Sequence, residues 1–135
     1  MKHVLALSIV LAAALSAPVA AAPANLAGTW RNDRDSVHIR VAPCGAGLCG
    51  TVITANEKAR ADAAAGGTDA LVGTQLFRDF RRGDDGLWHG TVFVPDLGQS
   101  FDGTLALEGP DTLIGTGCVL PGLCRSQRWL RVAGK

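Results

Sequence analysis

This sequence lacks an excess of charge of either sign, an apolar run long enough to cross a membrane, tyrosine, and any spaced set of catalytic groups. It carries 13 Lys plus Arg against 12 Asp plus Glu. Lys2 lies in the segment read below as a leader, so the remainder is formally neutral at pH 7. A neutral chain has no electrostatic footprint for nucleic acid or an anionic lipid surface, and no nucleic-acid partner is expected. The longest apolar stretch, Val4 to Leu15, falls short of the ~20 residues that span a bilayer. Beyond the leader the histidines are His38 and His89, at no metal-ligating spacing, so neither a metal nor another cofactor is expected. None of Ser36, Ser100 and Ser126 sits in a Gly-x-Ser-x-Gly elbow, and no glycine loop precedes a helix as a phosphate cradle would. Nothing in the spacing of Glu57, Asp62, Asp79 and Glu108 pairs them for hydrolysis. The chain is therefore expected not to be an enzyme.

What is present begins with an export leader. Met1-Lys2-His3 is a short basic start, Val4 to Leu15 is apolar except for Ser8, and small residues crowd from Ser16 to Ala24. This is the layout of a secretory signal peptide over residues 1–22, with cleavage between 20 and 24. Pro23 disfavours a cut directly before it, which leaves the bonds after Ala21 and Ala24 as the favoured sites. No cysteine lies near the cut, so no lipid anchor forms there and no stable membrane anchor is expected. Residues 25–133 are read as one domain.

Four cysteines stand in two tight pairs, Cys44 with Cys49 and Cys118 with Cys124. They allow three connectivities. Local pairing is favoured because each pair brackets a short turn between strand-like runs and would clip a β-hairpin. The rival is a four-thiolate zinc cage, but the spacings are wider than a two-residue knuckle and the expected compartment is oxidising. Disulfides across such short loops would each contribute roughly 2–3 kcal/mol.

The rest of the domain reads as β-structure. Val37, Ile39 and Val41 alternate with His38 and Arg40, and Phe101, Gly103, Leu105 and Leu107 alternate with polar or small residues. Further strands are expected over Gly50–Thr54, Thr74–Arg81, Leu87–Val94, Thr112–Cys118 and Ser126–Val132, separated by Gly-, Asp- and Pro-rich turns. Seven or eight short antiparallel strands joined by hairpins predict a closed barrel or a sandwich. One segment breaks the rhythm. Thr54-Ala55-Asn56-Glu57 has capping-box spacing, the Ala-rich Lys58–Ala65 follows, and Gly66-Gly67 ends it. A short helix is expected here, either as a mobile lid over a barrel end or as a solvated connection.

Trp30 in Gly28-Thr29-Trp30 opens the domain, and Trp129 in Arg128-Trp129-Leu130-Arg131 closes it. In an up-and-down barrel these ends meet, so an arginine laid over the Trp30 indole would close the base by cation–π contact. Gly28, Trp30, Trp129 and Arg131 are the candidate closure residues.

Gly28-x-Trp30 with an arginine on the final strand resembles the structural signature of lipocalins and the wider calycin group. The longer pattern is more specific. Cys44 with Leu48-Cys49-Gly50, Trp88-x-Gly90, Pro95-x-x-Gly98-x-x-Phe101, and Gly117-Cys118 through Cys124-Arg125-Ser126-Gln127-x-Trp129-x-Arg131 resemble the bacterial family of domain of unknown function 2147. The resemblance implies an all-β, eight-stranded, antiparallel lipocalin-like barrel in the periplasm, with one short helix or loop between early strands. The chain departs from the family pattern after Asp62, where alanines and glycines replace an Asn-Pro, and at Phe93 and Phe101, where tyrosine is usual.

Two function classes follow. One is a binding protein whose interior holds a small apolar or amphipathic ligand, with Val37, Ile39, Phe77, Trp88, Val92, Phe101 and Leu105 as candidate contacts. The other is a filled barrel that uses its surface against another envelope component. The ligand class rests on analogy of fold. Intact mass spectrometry without reductant is expected to show the chain lighter by two hydrogens for each of two disulfides; a retained zinc ion would overturn the disulfide reading.

Overall fold

The computed structural model describes residues 10–14 and 25–133. The expected leader over 1–22 and its cleavage point between 20 and 24 lie outside the described residues, apart from 10–14. Eight antiparallel strands follow in chain order: β1 (Gly28–Asn32), β2 (Val37–Cys44), β3 (Gly47–Ala55), β4 (Gln75–Arg82), β5 (Trp88–Val94), β6 (Gln99–Leu107), β7 (Thr112–Leu120) and β8 (Leu123–Arg131). Each pairs with its neighbour in sequence, and β8 returns to β1, so the sheet is a closed barrel rather than a sandwich. Closure leaves no free strand edge for another chain to extend. Helix α1 (Glu57–Ala65) lies in the connection from β3 to β4.

The hairpins run longer than the alternation pattern predicts. β2 continues through Pro43 to Cys44, β3 starts at Gly47, and β8 starts at Leu123 instead of Ser126. Both cysteine pairs are disulfides, Cys44–Cys49 and Cys118–Cys124. Cys118 and Cys124 are directly opposed in the β7–β8 ladder, one step from the two-residue turn at Pro121-Gly122. Gly117 and Arg125 beside them face inward with the rest of their stripe, so this bridge lies on the outer face.

The base of the barrel is where β1, β8 and the segment before β1 converge. Trp30 is opposed to Arg131 and Asn32 to Trp129. The Arg131 guanidinium lies 4.2 Å from the centre of the Trp30 ring. It also donates to the Ala27, Asn25 and Pro110 carbonyls at 3.0, 2.9 and 3.1 Å. Trp30 Nε1 in turn donates to the Leu26 carbonyl at 2.9 Å. Gly28 is required here because a Cβ would approach Arg131 Nη1 to 2.8 Å, at a φ of 139°.

Above the base the interior is filled. Phe77 and Phe80 both point inward although they are three residues apart, because a bulge at Asp79 (φ 50°) resets the alternation between Arg78 and Arg81. The Phe77 ring meets Phe80 and Trp129 edge-on, at 5.7 and 5.9 Å between centroids. Glycines opposite make room: a Cβ on Gly50 would sit 2.6 Å from the Phe77 ring, and one on Gly90 2.8 Å from the Phe80 ring.

The helix crosses the opposite end, the mouth. Its N-cap is Asn56, whose Oδ1 accepts the Ala59 N–H at 2.9 Å. Thr54 cannot serve as the capping-box residue because it remains in β3, opposed to His38. The C-terminus ends as the Gly66-Gly67 signal predicts: the Gly67 N–H reaches the Ala64 carbonyl and the Thr68 N–H the Ala63 carbonyl, with Gly67 at φ 97°. Both ends of this segment are tied to the rim. The Asn56 N–H bonds the Ser36 carbonyl at 2.9 Å, and Thr68 Oγ1 bonds the Pro95 carbonyl at 2.9 Å. Gly66 packs so closely on Asp96 that a Cβ there would collide with the Asp96 backbone. The element is a pinned strap across the mouth.

Replacing Arg131 with Ala removes a cation–π contact and three carbonyl hydrogen bonds at once. We expect a loss of about 2–4 kcal/mol in urea unfolding, with Arg131→Lys falling between the two, since an ammonium lacks the planar fork.

Candidate functional site

The inward stripe of each strand meets the strap at the mouth, and there the filling stops. A cavity of about 540 Å³ opens between α1, the β1–β2 turn, the β5–β6 turn and β8. Val37, Leu71, Leu76 and Trp129 supply its apolar wall, with Leu71 and Leu76 buried beside the strap and Trp129 only 2% exposed. Asn32, Asn56, Gln127 and the charged groups of the rim supply the polar part.

The rim charges are balanced. Asp33, Asp62 and Asp96 face Arg34, Lys58 and Arg128 around the opening. Lys58 and Asp62 pair along the helix at 2.7 Å, and Arg128 Nε reaches Asp33 at 3.0 Å. These pairs are more than a third exposed and are worth little in stability. They tie β8 to the β1–β2 turn and one helical turn to the next. Among the described residues Arg34 and Asp96 have no ion-pair partner. They sit on the β1–β2 and β5–β6 turns, on opposite sides of the eight-strand ring.

Of the seven residues expected to contact a ligand, Val37 borders this cavity. Ile39, Phe77 and Leu105 are buried in the packed interior. Val92 and Phe101 are opposed to each other on β5 and β6, half-buried, and are not in the cavity wall. Trp88 lies at the other end, beside a shallower space of about 330 Å³ against Leu26, Leu87 and Leu107. The residues are thus one connected inward surface, but the empty space lies beyond it. Gln127 and Trp129 could be placed by parity along β8. Leu71, in a connection without periodicity, gives no such signal.

Phe93 faces outward, with the Arg78 guanidinium 4.6 Å from its ring centre, whereas Phe101 faces inward.

Neither histidine enters the cavity wall. His38 Nε2 bonds Asp35 at 2.6 Å, and His89 Nε2 bonds Asp85 at 2.8 Å, each across an exposed turn with no hydroxyl or thiol engaged. No group of three or more His, Cys, Asp or Glu among the described residues is placed to hold a metal ion. The Asp85 carboxylate is held below its usual pKa, first by the Leu87 N–H at 3.0 Å and then by His89.

The model for the family described as "Uncharacterized protein conserved in bacteria (DUF2147)" matches residues 28–131, from the first residue of β1 to the last of β8. The chain belongs to this family. No curated protein matches the sequence. Among solved structures, this DUF2147 protein is similar to one described as "Protein HP1028 from the human pathogen Helicobacter pylori belongs to the lipocalin family", with TM-score 0.59 and 11% identity over 82% of this chain and 84% of that one. At that identity the likeness concerns fold, and the fold is lipocalin-like. No helix among the described residues is long and apolar enough to cross a membrane.

The depressed Asp85 value carries a signed expectation. Its stabilisation of the β4–β5 turn is present above the usual carboxylate pKa and is lost as pH falls through the lowered folded-state value. Carboxyl-carbon NMR titration should place the Asp85 midpoint below the usual value. The depression should persist in His89→Ala, because the Leu87 N–H is the larger cause.

Proposed function

We propose that this DUF2147 protein is an exported, non-catalytic binding protein of the periplasm whose mouth cavity holds one small amphipathic molecule. The cavity under the strap is the observation that carries the reading. Its volume of about 540 Å³ falls in the range of small-molecule sites, roughly 300–1,000 Å³. Its wall combines apolar side chains with polar and charged groups, the mixture an amphipathic ligand needs. Export is supported by the leader-like composition of residues 1–22 and by two disulfides, which persist in oxidising compartments.

A second reading, a filled barrel acting through its surface, draws support from exposed Leu97, Val119, Leu120 and Leu123 on the mouth turns. The two readings separate on one variant. Ala59 lies on the underside of the strap, half-buried in the cavity wall, so Ala59→Phe would occupy the space while keeping the helix. A small-molecule panel screened by thermal melting should contain compounds that raise the wild-type Tm, as binding to the native state requires. The same compounds should leave Ala59→Phe unmoved. Equal shifts in both proteins would place binding elsewhere, and no shift with any amphipathic compound would favour the surface reading.

A further inference from the structure

On the cavity wall one buried donor lacks an acceptor and a second is only half used. Trp129 Nε1 is buried and has no hydrogen-bond partner. Asn32, only 8% exposed, uses one amide N–H on Ser36 Oγ at 2.8 Å. Its Oδ1 is occupied by the Ser36 and Val37 N–H groups at 2.8 and 3.1 Å, which fixes the amide's orientation. An amide carries a second N–H, and no other acceptor for it is present among the described residues. Asn32 and Trp129 are directly opposed in the β1–β8 ladder. Cross-strand positions of this kind hold their Cβ atoms about 4.5–5.5 Å apart, and both residues line the cavity. An unpartnered buried donor is destabilising, and a ligand acceptor would recover that cost.

We infer that Asn32 and Trp129 form a two-donor subsite that takes an acceptor oxygen of the ligand, a carboxylate or carbonyl, deep in the mouth cavity. The inference rests on the cavity reading above and adds to it the polarity of the buried end. The subsite offers only N–H groups, so a ligand end with donors and no acceptor, such as an ammonium, has no partner there. Leu71, Leu76 and Val37 then hold the adjoining carbon chain. An alternative acceptor for the indole is the Phe77 ring, which meets Trp129 at an interplanar angle of 81°.

The test uses the intact protein, with hexanoate and hexylammonium as matched probes, followed through the indole N–H signals of its three tryptophans. Hexanoate should move the Trp129 indole proton downfield and leave that of Trp30, already bonded to Leu26, in place. Hexylammonium should bind at least about tenfold more weakly, the ratio expected for one charge-assisted hydrogen bond. Trp129→Phe, which keeps an aromatic ring and loses the donor, should weaken hexanoate by a similar factor without changing hexylammonium. The wild-type indole shift stands even if that variant folds poorly. An upfield, probe-insensitive Trp129 proton would place the N–H on the Phe77 ring and overturn the inference. So would equal binding of both probes with no indole shift, although the cavity reading would survive that result. Failure of either probe to perturb any residue of the cavity wall would overturn both.

Discussion

The interior volume of an eight-stranded barrel is the constraint on which the rest of this structure depends. Eight strands enclose a space just wide enough for side chains or for one small ligand. Here large rings occupy its lower part, with Trp30, Phe77, Phe80 and Trp129 all buried. Glycines make room for the two phenylalanines, Gly50 and Gly115 beside Phe77 and Gly90 beside Phe80. Empty volume is therefore displaced toward the mouth, where the facing positions are Val37, Leu76, Gln127 and the strap. Packing at the base and opening at the mouth are two results of one allocation of volume.

Closure at the base has a similar economy. The β1–β8 seam is short, with three opposed pairs. Arg131 reinforces it by reaching three carbonyls on two separate segments, the stretch before β1 and the β6–β7 turn, while covering Trp30. A lysine could supply the charge but not the fork. The two disulfides act away from this seam, on the β2–β3 hairpin at the base and the β7–β8 hairpin at the mouth. They staple turns that already pair and leave the interior to side chains.

Much of the architecture is legible in the residues. Alternation marks β2 and β6 because one face of each is buried, and Trp30 and Arg131 mark the seam because cation–π stacking needs those two side chains. The Phe77/Phe80 spacing misleads a period-2 reading, since the bulge at Asp79 depends on tertiary packing. The cap at Asn56 displaces the Thr54 signal because β3 retains Thr54 in its ladder, and ladder pairing outweighs local capping there. The site is less legible for a related reason. Apolar residues on an inward stripe look alike whether they fill a core or line a cavity, and Ile39, Phe77 and Leu105 fill. What distinguishes the cavity wall is the presence of polar inward residues, Asn32 and Gln127, together with Leu71 from an aperiodic connection.

The strap explains why an alanine-rich helix suits this position. A bulkier residue on its underside would take the volume that Ala59 leaves free, yet alanine anchors a helix weakly. The anchoring is accordingly moved to the ends: a backbone bond to Ser36 at one, and Thr68 with the close Gly66–Asp96 contact at the other. Those anchor points lie on the β1–β2 and β5–β6 turns, so the strap spans the ring and leaves the β7–β8 side uncovered. Along that side Arg125 and Gln127 face inward and remain exposed. The cavity is lined on this flank by Ser126, Gln127 and Arg128, so it borders the side that the anchored strap does not cross.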